Sequence, residues 1–248
     1  MLVSPKNKFI FFKSMKTAGS SIEMVLLNYC GENALCAGSQ ISTADKSFEY
    51  PPRNNKDHLD RVKFHAHTWP GLFKSKIKNY NIFEDYKKVS VVRNPWDQIV
   101  SYYWYAMNSK SENIDFKNTL IKKSDSKRKA QIKFEKWFSK VGLYNSYMEN
   151  DLHHYCPPSE YIGGINEKFI DEEIDYYIIF EDLNKSFREV AKKIIPDFGD
   201  ESLPRLKTGN RKLKKHYSWY YNNYTRKKAE KYFVKTINKF NYKFENKK

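Results

Sequence analysis

The chain has 248 residues and a formal net charge of +16, with 40% hydrophobic and 17% aromatic residues. This length suits one α/β domain with a sizeable core, and the composition excludes a disordered or fibrous chain. Residues 205–248 hold fifteen lysines and arginines against two acids. A segment this basic suits a polyanionic partner, although a solvated lysine-rich helix face is the more common cause of a charge run.

Short apolar runs alternate with amphipathic segments along the chain. Strands are predicted at residues 8–12, 61–65, 88–92 and 175–180. Helices are predicted at residues 20–29, 72–80, 95–104, 131–141, 183–195 and 217–240, and loops at 31–60 and 109–129. This alternation predicts an α/β fold with a central parallel sheet flanked by helices, in which ligands bind beyond the carboxyl ends of the strands.

The content of cysteine and the absence of long apolar stretches bear on location. Cys30, Cys36 and Cys156 form no complete disulfide framework and match no zinc spacing, which favours a reducing compartment. The apolar run at residues 9–12 is too short for a signal peptide, and no stretch reaches the ~20 apolar residues of a membrane span. We therefore predict a single cytoplasmic domain over residues 1–248, and the sequence leaves its oligomeric state open.

The loop after the first strand, residues 13–21, carries small and basic residues. Backbone N–H groups at the start of a helix form an anion site, which the helix dipole strengthens. Gly19 allows close approach of the backbone, and Lys16 offers a mobile cation. Hydroxyl donors are offered by Thr17, Ser20 and Ser21. The GxxxxGK[ST] unit of a P-loop is absent, which counts against an ATPase; taken alone, such a loop is more often an ordinary turn.

The third predicted strand ends in Arg93, followed by Asn94 as helix N-cap and Pro95 in the first helical turn. Arg93 has the fork geometry for bidentate binding of a phosphate. Ser101 comes two helical turns later and offers a hydroxyl to the same anion. The alternative is an Arg93–Asp97 ion pair and a serine on the helix surface.

Together these segments resemble the PAPS-dependent sulfotransferases (PAPS is 3′-phosphoadenosine 5′-phosphosulfate). The resemblance is closest to the carbohydrate branch that includes heparan sulfate 2-O-sulfotransferases and small bacterial enzymes. That family binds the 5′-phosphosulfate with a strand–loop–helix, and residues 12–21 match it with Lys16 and Thr17 in register. It binds the 3′-phosphate with V-R-N-P-x-x-R-x-V-S-x-Y, and residues 92–103 match it with Gln98 in place of the second arginine. The family's fold is a three-layer, P-loop-NTPase-like one.

The family also carries a histidine between these motifs, where this chain has His65 and His67. The resemblance implies that His67 takes the proton of the acceptor hydroxyl, with an imidazole pKa near ~6.5. His65, placed on the same strand face, would orient it or contact the acceptor, and which of the two histidines is the base stays open. Lys16 would neutralise charge on the bridging oxygen as the S–O bond breaks. The implied donor-binding set is Lys13, Lys16, Thr17, Ala18, Gly19, Ser20, Ser21, Arg93, Ser101 and Arg211.

The resemblance implies a saccharide or glycolipid as the acceptor, with no metal and no specific nucleic acid. Residues 157–162 resemble a family segment near the acceptor, and residues 180–183 the end of a later strand. Two other functions stay open: a nucleotide-dependent kinase that holds Mg²⁺ through Glu181 or Asp182, and a non-enzymatic polyanion-binding protein that uses the basic C-terminal segment. His153, His154 and Cys156 lie close in sequence, but their spacing fits no standard metal site.

Overall fold

The computed structural model describes residues 1–31, 33–37, 64–77, 80–108, 117–140, 156–206 and 209–247. The chain divides into two compact units. The first consists of Met1–Arg93 and Lys168–Lys207, and the second of Asn94–Glu167 and Thr208–Lys248. The described helices are α1 (Gly19–Cys30), α2 (Pro70–Lys76), α3 (Tyr80–Asp85), α4 (Pro95–Asn108), α5 (Lys127–Ser139), α6 (Pro158–Glu167), α7 (Leu183–Ile194), α8 (Asn223–Tyr232) and α9 (Val234–Phe240).

The first unit is built on one sheet. Its described strands are β1 (Leu2–Ser4), β2 (Phe9–Phe12), β3 (Leu35–Cys36), β4 (Lys87–Val92) and β5 (Tyr176–Ile179), in the order β3-β1-β2-β4-β5. The pairs β2–β4 and β4–β5 are parallel, as predicted. The pairs β1–β2 and β1–β3 are antiparallel and add an edge that was not predicted, because strands of two or three residues show no periodicity.

Helices of the first unit cover both faces of its sheet, as the α/β prediction requires. Phe9 and Phe11 belong to a core that also contains buried side chains of α1 and α7. Successive strand residues point to opposite faces, so Phe12 lies on the other side. There its ring meets that of Phe73 in α2, with the centroids 5.8 Å apart, and Phe73 in turn packs on Phe83 of α3. The unit therefore has three layers with the parallel strands in the middle.

The second unit is helical in its described residues, and aromatic rings fill its core. Tyr103 of α4 packs on Phe134 and Trp137 of α5, with ring centroids 5.5 and 5.1 Å away. Its buried hydroxyl donates to the carbonyl of Thr119 and accepts from the N–H of Ile121, so the phenol is paired within the core. As predicted, Asn94 caps α4 through its side-chain oxygen.

Three predicted elements need correction. Phe64 and His65 lie in a loop, whereas the rest of the predicted strand at residues 61–65 lies outside the described residues. The predicted helix at residues 72–80 is instead α2, which begins at Pro70, and a separate α3. The predicted helix at residues 217–240 is broken, because Asn222 starts α8 with a capping box and the non-helical Phe233 separates α8 from α9.

Candidate active site

The loop between β2 and α1 has an unusual backbone. Lys16 and Ala18 both adopt positive φ angles, of 61° and 59°, which residues with a side chain rarely do. Left-handed residues within a turn aim neighbouring N–H groups to one side and form concave anion sites. Ala18 is also the N-cap of α1 and has no side-chain group to satisfy the first N–H groups of the helix. The loop therefore combines a turned backbone with a helix start that a bound anion would complete.

Two hydroxyl groups fix this loop to the sheet. Ser14 Oγ donates a 2.7 Å hydrogen bond to the carbonyl of Val91 in β4. Thr17 Oγ1 donates to the carbonyl of Ser14 at 3.0 Å, and both side chains are buried. The hydroxyl of Thr17, which was expected to bind PAPS, thus stabilises the conformation of the loop. Ser21 is buried in the first turn of α1, and Ser20 beside it is half-buried.

Lys13 is the basic residue whose position differs most from the expectation. Its buried ammonium lies 2.7 Å from the carboxylate of Glu23 in α1, which is fully buried as well. Its stem crosses Gly19 so closely that a Cβ at Gly19 would lie 2.3 Å from Lys13 Cγ. The glycine therefore makes room for the lysine stem. The charge of Lys13 is thus engaged with Glu23, which counts against its expected role as a phosphate ligand.

His67 is held in the tautomer that a base needs. Its Nδ1 lies 2.7 Å from the carbonyl oxygen of Lys13. A carbonyl oxygen only accepts hydrogen bonds, so Nδ1 carries the proton and the lone pair is on Nε2. Burial, reinforced by the positive charge of Lys13, lowers the pKa of His67 from 6.5 to about 3. The ring is therefore neutral at pH 7, with a pKa well below the value of ~6.5 expected from the sequence.

His65 contacts the backbone of His67. Its Nδ1 accepts a 3.2 Å hydrogen bond from the N–H of His67. Thr68 fixes His65 in turn, since its Oγ1 accepts from the His65 N–H and donates to the His65 carbonyl. The two histidines are thus related by a hydrogen-bonded turn, not by a shared strand face. This geometry favours a positioning role for His65.

Arg93 contacts the same loop from β4. Its Nη1 donates a 2.7 Å hydrogen bond to the carbonyl of Lys16. The guanidinium carbon also lies 3.8 Å from the centre of the Phe180 ring, and the side chain is 9% exposed. The loop therefore contacts His67 at Lys13 and Arg93 at Lys16, so the structure brings the first motif, the histidine and the arginine of the second motif together within the first unit.

Ser101 and Arg211 belong to the second unit. Ser101 is half-buried in α4. Arg211 Nη1 donates to Asp97 Oδ1 at 2.7 Å, and its Nη2 donates to the carbonyl of Lys215. Asp97, the residue that the alternative reading of the motif paired with Arg93, forms an ion pair with Arg211. Roles for Ser101 and Arg211 in donor binding stay predictions.

Two contributors to the site were not identified from the sequence. Phe180 belongs to a recognised motif, but nothing in the motif indicates that its ring supports Arg93. Glu23 lies between Ile22 and Met24 in α1, and these apolar neighbours were the available sign of its burial. In the described part of the chain no group of three potential metal ligands is found, and His153 and His154 lie outside it. Within the same residues no helix combines the length and apolarity needed to cross a membrane.

Comparison with the curated proteins and with the solved structures gave no significant match. The profile of the sulfotransferase family, in contrast, matches residues 1–243, which is nearly the full chain. The match includes the loop after β2, the histidine segment and the end of β4. The chain therefore belongs to the sulfotransferase family and is a sulfotransferase.

Proposed function

We propose that this sulfotransferase moves the sulfuryl group of PAPS to a hydroxyl of a saccharide, with His67 as the general base. The observation that carries the proposal is the dual contact of one loop, whose Lys13 carbonyl binds His67 and whose Lys16 carbonyl binds Arg93. The groups proposed to bind anions, which are this loop and Arg93, therefore lie close to the neutral imidazole of His67 in the first unit. PAPS carries a 3′-phosphate and a 5′-phosphosulfate, so its binding needs two groups that bind anions.

The loop and the start of α1 fit the 5′-phosphosulfate. The left-handed Lys16 and Ala18 turn their backbone, and the first N–H groups of α1 add the positive end of the helix dipole. Lys16 would balance the charge that develops on the bridging oxygen as the S–O bond breaks. Arg93, oriented by the Lys16 carbonyl and the Phe180 ring, would bind the 3′-phosphate.

His67 would accept the acceptor's proton at Nε2, because Nδ1 is committed to the Lys13 carbonyl. A pKa of about 3 makes this ring a weak base in the free protein. Negative charge nearby favours the protonated form of a histidine, so the phosphosulfate of a bound donor would raise the pKa. The imidazole would then gain basicity at the stage when both substrates are present.

The donor can be tested by calorimetric binding of adenosine 3′,5′-bisphosphate without metal, beside ATP with Mg²⁺. We expect the bisphosphate to bind and Arg93→Ala to weaken it at least about tenfold, since a charged hydrogen bond to phosphate is lost. Arg128→Ala in α5 serves as the matched control, because its side chain is exposed and belongs to neither motif. Tight binding of ATP that requires Mg²⁺ would favour the kinase. Binding limited to nucleic acid or heparin-like chains, with steep salt dependence, would favour the polyanion-binding protein.

A further inference from the structure

The helices α8 and α9 of the second unit are rich in positive charge. Residues 223–240 contain six lysines and arginines and one acid, Glu230. That acid is engaged within α8, because its carboxylate accepts a 2.9 Å hydrogen bond from Arg226 Nε. Lys227, Lys231 and Lys235 are exposed and lie four residues apart along the chain. The two helices therefore contain no second acid that could neutralise these lysines.

Two large apolar side chains are exposed among these lysines. Tyr224 is 46% exposed and Val234 is 50% exposed. Tyr224 comes three residues before Lys227 and seven before Lys231, so these side chains share one face of α8. Val234 begins α9 directly before Lys235. The surface formed by Tyr224, Lys227, Lys231, Val234 and Lys235 is called the α8–α9 face below.

The inner sides of both helices pack on α6. A Cβ at Gly163 of α6 would lie 2.6 Å from the Cβ of Tyr232 in α8. Glu167, the last residue of α6, accepts from the N–H groups of Lys235 and Thr236 at the start of α9. Because α6 lies under both helices, their exposed side chains point away from it. The α8–α9 face is therefore one outer surface of the second unit.

A solvated helix face is the common explanation for a run of lysines, but such a face usually alternates charges of opposite sign. Opposite charges four residues apart stabilise a helix, whereas like charges at this spacing destabilise it. Lys227 and Lys231 form a like-charged pair of this kind in α8. An anionic partner would relieve their repulsion. The exposed Val234 also offers an apolar contact, which a purely solvated face does not need.

We propose that the α8–α9 face binds the surface of an anionic lipid membrane. Its lysines would contact the headgroups, and Tyr224 and Val234 would enter the boundary between headgroups and acyl chains. Basic amphipathic helices lie on membranes in this way, and tyrosine rings are enriched at this depth. Duplex nucleic acid offers similar negative charge but no apolar layer for Val234, so the lipid surface fits better. This inference goes beyond the proposed function and does not depend on it.

The test is sedimentation of the full chain with sucrose-loaded vesicles of phosphatidylcholine, alone or with about 30% phosphatidylglycerol, in about 0.1 M salt. We expect the wild-type protein to bind the anionic vesicles only. Lys231→Gln/Lys235→Gln should lower the partition coefficient about 30-fold, because each lysine near an anionic membrane contributes about fivefold. Val234→Ser should lower it about three- to tenfold, since an apolar contact with lipid is lost.

The matched control is Lys185→Gln/Lys193→Gln, which removes two exposed lysines from α7 of the first unit. Its partition coefficient should stay within about twofold of the wild-type value, because charges far from the membrane are screened. The Tm of every variant should stay close to that of the wild-type protein, since all the replaced side chains are exposed.

Three results would overturn the inference. The wild-type protein could fail to bind anionic vesicles. The variant Lys231→Gln/Lys235→Gln could bind them as tightly as the wild-type protein does. Finally, Val234→Ser could leave vesicle binding unchanged while loss of the two lysines weakens binding of a DNA duplex, which would assign the α8–α9 face to nucleic acid. None of these results bears on the donor site, which is tested separately by binding of the bisphosphate.

Discussion

Substitution of Gly19 by alanine should destabilise the protein, because the new methyl group has no room. The added Cβ would lie 2.3 Å from Lys13 Cγ and 2.8 Å from Cδ, whereas ordinary contacts begin at 3.4 Å. The lysine stem must therefore move by about 1 Å, and its ammonium is held 2.7 Å from buried Glu23. Overpacking costs about 1–3 kcal/mol, and loss of a buried ion-pair partner costs about 3–5 kcal/mol. Alanine's higher helix propensity returns at most about 1 kcal/mol.

Overpacking less the gain in helix propensity leaves a loss of up to about 2 kcal/mol, to which a weakened ion pair adds. A loss of about 2 kcal/mol lowers the Tm of a chain of this length by roughly 4–8 °C. Differential scanning calorimetry measures this shift directly. Gly164→Ala in α6 is the matched control, since no atom lies within 4 Å of its added Cβ, and its Tm should stay or rise. Because the Lys13 carbonyl also holds His67, Gly19→Ala should lose sulfate transfer as well. An unchanged Tm in Gly19→Ala would refute the described packing of Lys13 over this glycine.

Two further substitutions test the site's geometry and protonation. Phe180→Leu removes the aromatic ring that contacts the Arg93 guanidinium. It should weaken binding of adenosine 3′,5′-bisphosphate by about three- to tenfold in calorimetry, while the Tm stays nearly the same. Unchanged affinity would show that the ring does not position Arg93. His67 has a lowered folded pKa, so between about pH 3 and 6.5 the unfolded chain binds more protons than the folded one. The free energy of unfolding should fall with decreasing pH in this window by up to about 1.4 kcal/mol per pH unit, and His67→Asn should reduce that slope in urea titrations at pH 4.5–7. Equal slopes would contradict a neutral His67 ring in the folded protein.

The sequence indicates the parallel strands and the phosphate motifs because each leaves a local pattern. The strands β2 and β4 are apolar runs with sharp ends, and Arg93-Asn94-Pro95 combines a strand end with a helix start. The same residues to which the proposed function assigns anion binding also shape the backbone there. This is why the loop after β2 and the end of β4 were found from the sequence, and the structure joins them through the Lys16 carbonyl.

Other parts of the site depend on contacts between distant residues, which no local pattern reveals. A lysine in a motif expected to bind phosphate suggests a ligand contact. The ammonium of Lys13 instead donates to the carboxylate of Glu23, which comes ten residues later in α1. The low pKa of His67 arises from burial and from that same lysine. The Phe180 platform and the Trp69–Lys168 contact join residues separated by more than eighty positions. Tertiary packing determines all of these features.

In the proposed function, His67 activates the acceptor at a donor site formed by the loop after β2 and Arg93. The most direct measurement is transfer of radiolabelled sulfate from PAPS to a panel of glycans and small alcohols by the wild-type protein and by His67→Asn. Asparagine retains a donor for the Lys13 carbonyl but has no base. We predict transfer by the wild-type protein and a loss of about 100-fold or more in the variant, with bisphosphate affinity within about twofold. Undiminished transfer by His67→Asn, or a parallel loss of bisphosphate binding, would contradict the claim.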